Sequence, residues 1–186
     1  HQIKPTFVFF DDCWNPTASI GTQPDPIQGI HNSGWLQSPE ALVKDDPQQW
    51  LRLEQYVKDI VSHFAQDERI LYWDVYNEPG NENRFGKSLP LLKKALLWVR
   101  TINPSQPITS GVWDDSFLFD KLNAYQLAAS DIITFHNYNG AENLAEKIAE
   151  LKTHNRPLIC TEWLARTNDS NVARHLMKVN ANYLKH

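Results

Sequence analysis

Two glutamates stand where short apolar runs give way to polar loops: Glu78 in Asn77-Glu78-Pro79, and Glu162 in Thr161-Glu162-Trp163. Two carboxyl groups on either side of a bond can break it. One, protonated, gives its proton to the leaving oxygen, and the other, ionised, attacks the carbon left behind. Such a pair needs one raised pKa, which a close like charge and a dry setting both favour. Other chemically capable residues fall at equivalent points. Asp11, Asp12, Trp14 and Asn15 follow the first apolar run, Trp113 and Asp114 the third, and His136-Asn137-Tyr138 the fourth. The chain has seven Trp. Those beside polar loops (Trp14, Trp113, Trp163) suit stacking on the apolar face of a sugar ring as well as they suit a core. Trp50, Trp98 and Trp73 sit inside helical or strand patterns and are expected in the core.

The elements that position these residues follow from hydrophobic period. Thr6–Phe10 reads as a buried strand. A Pro-, Gly- and Asn-rich stretch from Asp11 to Pro47 reads as an ordered loop, because structureless loops of that length are uncommon and usually functional. Asp46-Pro47 starts a helix, with Leu53, Val57, Ile60, Val61 and Phe64 at helical spacing. The unit then repeats. The strands are Ile70–Tyr76, Ile108–Val112 (interrupted by Gly111), Ile132–His136 and Leu158–Glu162. The helices carry Leu92, Leu96, Val99 and Ile102; Leu118, Leu122 and Tyr125; Leu144, Ile148 and Leu151; and Val172, Leu176, Val179 and Tyr183. Apolar strands alternating with helices imply an α/β fold with a parallel sheet. The pattern alone does not separate a curling barrel from a doubly wound sheet. The absence of a glycine-rich turn after the first strand counts against nucleotide binding. In a parallel barrel every loaded strand end shares one rim, where active sites sit.

Asn77-Glu78-Pro79 after a strand resembles the fourth-strand motif of the (β/α)8-barrel clan of retaining β-glycosidases. That clan includes cellulases, mannanases, β-galactosidases and β-mannosidases. His136-Asn137-Tyr138 resembles its sixth-strand pattern, and Thr161-Glu162-Trp163 its nucleophile-bearing seventh. The resemblance implies a TIM-barrel fold seen from its third strand to its seventh helix, with Glu78 as acid/base and Glu162 as nucleophile. It also implies that Asn77 meets the sugar 2-hydroxyl, and that His136 and Tyr138 flank nucleophile and sugar. It implies a carbohydrate substrate, no metal or organic cofactor, and a secreted or periplasmic location. Retaining enzymes hold their carboxyl groups about 5–5.5 Å apart, which the ends of non-adjacent barrel strands can do. Asp11, Asp12, Asn15, His31, Asn32 and Trp35 are candidates for shaping subsites.

The sequence departs from that pattern in extent. Five βα units are expected where a barrel has eight strands. Complete barrels typically run to about 250 residues, against 186 here. The clan's second-strand Arg and eighth-strand Trp have no counterpart. Residues 1–186 are therefore expected to form one partial-barrel catalytic domain. Because an open five-strand sheet would leave two apolar edges, it is expected to be a fragment or to be completed by another copy or another chain segment. A partial barrel with the long loop over one edge, or a non-catalytic carbohydrate-binding relic, is the alternative. Net charge is −4, without the basic footprint nucleic-acid binding needs, and no apolar run is long enough for a membrane span. The seven His are scattered, with no His-x-His or two-turn helical pair to suggest a metal hydrolase. No Gly-x-Ser-x-Gly elbow is present. Cys13 and Cys160 read as free thiols before a disulfide, and Asn168-Asp169-Ser170 is a lone sequon.

Overall fold

The computed structural model describes residues 3–17, 20–23, 25–29 and 32–163. Five strands run in order: β1 (Phe7–Asp11), β2 (Trp73–Asn77), β3 (Ile108–Thr109), β4 (Ile133–Asn137) and β5 (Leu158–Trp163). Between β1 and β2 come α1 (Ala41–Lys44) and α2 (Trp50–Phe64). Helices α3 (Leu89–Ile102), α4 (Asp120–Ala129) and α5 (Ala141–Lys152) fill the three later gaps. The expected helix at Val172–Tyr183 and the sequon at Asn168 lie outside the described residues.

Local chemistry explains the helix boundaries. The Asp46 carboxylate accepts the Gln48 N–H at 3.0 Å, with Pro47 in the first turn, and leads the chain into α2. Helix α3 ends on Asn103 in the left-handed conformation (φ 55°), whose N–H bonds back to the Val99 and Arg100 carbonyls; Pro104 then bars continuation. Leu118 belongs to a 3-10 turn ahead of α4 and is half exposed.

Every strand pairing is parallel: β1 with β2, β2 with β3, and β4 with β5. A parallel bridge from Val112 to Phe135 joins the two groups. Each strand therefore neighbours the next in sequence, with a helix in every crossover. A doubly wound sheet reverses its order at a switch point, and a barrel does not. The topology is that of a partial (β/α)8 TIM barrel. Gly111 explains why β3 is so short and yet stays beside β4. A Cβ there would lie 3.0 Å from the Thr134 hydroxyl and 3.3 Å from its carbonyl oxygen, so a larger residue would push Thr134 aside by a few tenths of an ångström.

The main core fills the space between β1–β3 and α2–α3. Trp73, fully buried, stacks on Phe9 at 5.5 Å, and Val57, Val61, Leu92, Leu96, Trp98 and Val99 pack around them. A smaller cluster joins Val112, Ile133, Phe135, Leu144 and Leu151. The expectation of a buried first strand holds only for its second half. Phe7 and Val8 are 44% and 50% exposed, because no described strand lies beyond β1. Strand β5, the other outer strand, is half-buried along its whole length. Among the described residues no helix is long and apolar enough to cross a membrane.

Candidate active site

The long loop after β1 is tied back on itself. Asp11 exchanges backbone hydrogen bonds with Ser38 (2.7 and 3.0 Å), and Asn15 does so with Trp35 and Gln37 (3.2 and 2.9 Å). These ties between its described residues bring Cys13 and Trp35 towards the end of β2. Past Asn77 the chain turns sharply, with Glu78 at φ 41° and Gly80 at φ 92°. For a residue with a Cβ the left-handed conformation costs about 1–2 kcal/mol. Surrounding contacts must therefore hold Glu78 there.

Three side chains grip the Glu78 carboxylate. His136 Nδ1 lies 2.8 Å from Oε1, while Cys13 Sγ and Asn81 Nδ2 donate to Oε2 at 2.9 and 2.6 Å. The Glu78 side chain is 11% exposed. Glu162 sits across the imidazole and is 39% exposed. The Tyr138 hydroxyl donates to its Oε2, and His136 Nε2 lies 3.6 Å from its Oε1. A slip in the β4–β5 register brings this about. Phe135 pairs with Cys160 but His136 pairs with Glu162, so Thr161 is skipped and Glu162 comes level with the histidine. One carboxylate oxygen of each glutamate and a His136 nitrogen all lie within 4.8 Å of one another.

Electrostatics here differ from the sequence expectation of a glutamate raised by its like-charged neighbour. Burial pushes the Glu78 carboxyl up, but the hydrogen bonds from His136, Cys13 and Asn81 and the His136 charge outweigh it. The net result is below the usual carboxylate value. Burial pulls His136 down, yet the Glu78 hydrogen bond and the Glu162, Glu78 and Asp74 charges raise it overall. The interposed imidazole thus takes the proton that two bare carboxylates would share. Beneath the pair, Asp74 in β2 is buried and pushed up to about 7, chiefly by burial, its carboxylate accepting the Tyr76 N–H. Burial and the neighbouring carboxylates of Glu78 and Asp11 keep the Cys13 thiol protonated and so a donor.

The remaining expected site residues are placed unevenly. Asn77 lies beside the pair, its amide donating to Asp11 Oδ2 at 3.2 Å, and the exposed Trp35 indole donates to that same oxygen at 3.0 Å. Trp113 is half-buried against the main core, edge-on to Phe119 at 5.0 Å. Its indole N–H donates to the Pro79 carbonyl at 3.1 Å, so it braces the Glu78 turn. Trp163 ends β5 opposite Asn137. Trp14 is half-buried with φ 70°, and its carbonyl accepts from Gln37 at 3.1 Å. The Asn15 side chain turns back to the Thr17 N–H of its own loop at 2.9 Å and does not join the glutamates. His31 lies outside the described residues, and Asn32 helps to close the turn before Trp35. Cys13 and Cys160 are free thiols, and Trp50, Trp73 and Trp98 pack in the core as their patterns suggest.

Sequence reasoning missed Cys13 and Asn81 as partners of Glu78. Asn81 stands three residues beyond Glu78 in a turn, where its amide can fold back, and that spacing was the available signal. Cys13 carried none. Glu78, His136 and Glu162 are also close enough to share a divalent cation. Each imidazole nitrogen already faces a different carboxylate, so a cation would have to break at least one of these two pairings.

No curated protein matches. Among solved structures the chain is similar to a β-D-glucuronidase of Dictyoglomus thermophilum, at 12% identity and TM-score 0.42, over 63% of this chain and 21% of that one. It thus spans about a fifth of that protein's length. The family model described as Cellulase (glycosyl hydrolase family 5) matches residues 27–186.

Proposed function

The chain belongs to glycosyl hydrolase family 5, the cellulase family, and from that premise we propose that it is a retaining β-glycoside hydrolase acting through Glu78 and Glu162. A Glu162 oxygen attacks the anomeric carbon, the glycosidic C–O bond breaks, and the departing oxygen takes a proton from Glu78. This leaves a covalent glycosyl–enzyme. Glu78 then takes a proton from water, whose oxygen attacks the same carbon and frees both Glu162 and the sugar. Tyr138 orients the nucleophile through its hydrogen bond to Oε2. Asn77 meets the 2-hydroxyl, and the exposed Trp35 and the rim residues Trp163 and Trp14 offer apolar surface to the sugar.

The observation that carries this reading is the approach of one oxygen of each glutamate to within 4.8 Å of the other, beside His136. Inverting enzymes leave about 6.5–9.5 Å for a water between theirs. Glu78, resting ionised, receives its proton through His136 Nδ1. The competent form has Glu162 ionised and one proton on the Glu78–His136 pair. Because His136 is raised from 6.5, that proton is held below the raised value and lost as pH rises through it. The alkaline limb of kcat/KM should therefore lie above about 6.5 and collapse towards lower pH in His136→Asn.

The direct test is Glu162→Gln, assayed with wild type on aryl β-glucoside, galactoside, mannoside and xyloside. Turnover abolished with sugar binding retained supports the enzyme. A folded wild type inactive on every substrate counts against it. A second reading rests on the two outer strands. With no pairing beyond β1 or β5 among the described residues and Glu162 more than a third exposed, the described half-barrel could bind carbohydrate without cleaving it. A second copy or another chain segment would then be needed to complete the site, and light scattering during the assay reads out the first.

A further inference from the structure

Behind the Glu78 turn lies a knot of charge that the reaction does not touch. Its centre is Asp12, whose side chain is completely buried. One oxygen accepts from Lys44 Nζ at 2.6 Å and the Tyr76 hydroxyl at 2.8 Å, with Arg84 Nε at 3.4 Å. The other accepts from the Ser88 hydroxyl at 2.5 Å and, at 2.8 Å, from the backbone N–H of Gly80. Gly80 lies two residues past Glu78, in the left-handed bend that re-aims the chain after β2. Lys44, itself buried, also donates to Gln37 (2.5 Å) and to the Asp11 carbonyl (3.3 Å), and Arg84 reaches on to Asp45 at 2.6 Å.

Burying a carboxylate, an ammonium and most of a guanidinium is expensive, and apolar residues of the same shape usually stabilise a fold as well or better. What an apolar side chain cannot do is accept the Gly80 N–H while being fixed by donors from β2, α1 and the segment leading into α3. We propose that Asp12 is a positioning residue. It clamps the Gly80 N–H and so holds the strained Glu78 backbone at the angle from which its carboxyl can protonate the leaving oxygen. The inference rests on the glycosidase reading above and deepens it. Lys44 and Arg84 hold the Asp12 carboxylate in place at 2.6 and 3.4 Å, and the knot closes the turn from below while Trp113 braces it from the side.

A positioning role predicts damage confined to proton transfer. A 2,4-dinitrophenyl glycoside leaves as a stable anion without a proton, whereas a 4-methoxyphenyl glycoside of the same sugar needs one. In Asp12→Asn, checked for fold by circular dichroism, kcat/KM for the methoxyphenyl substrate should fall about 100-fold, the cost of a displacement near 1 Å. For the dinitrophenyl substrate it should fall less than about 5-fold. Azide, which needs no general base, should speed turnover of the dinitrophenyl substrate in the variant and not in wild type. If Asp12→Asn does not fold, Ser88→Ala keeps all the charges and frees one side of the clamping oxygen. It should show the same selectivity at about 5-fold. Equal losses on both substrates in a folded variant overturn the anchor and leave the enzyme reading intact. A wild type that cleaves neither glycoside overturns the enzyme reading, and the anchor with it.

Discussion

The two glutamates are held by very different halves of the molecule. Glu78 stands just past the end of β2, a strand paired on both sides and backed by the main core of α2 and α3. Three side chains grip its carboxylate, and its side chain is 11% exposed. Glu162 stands on an outer strand, half-buried throughout and served by a much smaller apolar cluster. Tyr138 and a more distant His136 nitrogen hold it. On the proposed reading, the general acid, which must deliver a proton along one direction, is the more firmly fixed. Among the described residues the proposed nucleophile is steadied by Tyr138 and by the histidine it shares with its partner.

Core truncation gives the largest contrast. Leu92→Ala, at a fully buried site in the main core, should cost about 4 kcal/mol, and Leu144→Ala in the β4–β5 cluster about 2 kcal/mol. Urea unfolding of the two variants reads the difference, and equal costs would erase the claimed asymmetry. The well-packed half also carries a pH-dependent penalty. Asp74 rises from 3.8 to about 7 on folding, so the folded state keeps a proton that the unfolded chain loses in that window. Stability therefore falls as pH climbs from about 4 to 7 and stays low above. Asp74→Asn keeps the acceptor for the Tyr76 N–H and removes the charge. It should be more stable than wild type at pH 8 by roughly 3 kcal/mol, with the advantage vanishing near pH 4; thermal melts at both pH values check it.

The smallest effects concern the grips themselves. Tyr138→Phe removes the closest support of Glu162 and should lower kcat about 30-fold, while Cys13→Ser, one of three donors to Glu78, should cost about 3-fold. A larger loss at Cys13 than at Tyr138 would invert the account of which glutamate is the better supported.

Much of this was legible from the sequence because it lies in periodic or punctuated stretches. Asp46-Pro47 starts a helix where the carboxylate does cap the turn, and Asn103-Pro104 ends one through a left-handed Asn. The order Asn77-Glu78, His136-x-Tyr138, Glu162 puts the pair at strand ends on one rim. What escaped depends on contacts between distant segments. Nothing near Lys44 or Asp12 marks them as buried, since each charge is tolerated only because the other is there. The half exposure of Phe7 and Val8 depends on a neighbour outside their own strand, which no alternation pattern can report. The one-residue slip that levels Glu162 with His136 leaves no trace in composition. His136, expected to flank the nucleophile, stands between both glutamates and reverses the expected protonation.

The measurement that tests the central claim most directly is the configuration of the first-formed product, followed by proton NMR during hydrolysis of whichever aryl β-glycoside the protein cleaves fastest. Glutamates with one oxygen of each within 4.8 Å of the other predict that the β-anomer appears first and that the α-anomer grows in only by mutarotation. Initial appearance of the α-anomer would mean that a water attacks directly, and the assignment of Glu162 as a nucleophile would be wrong.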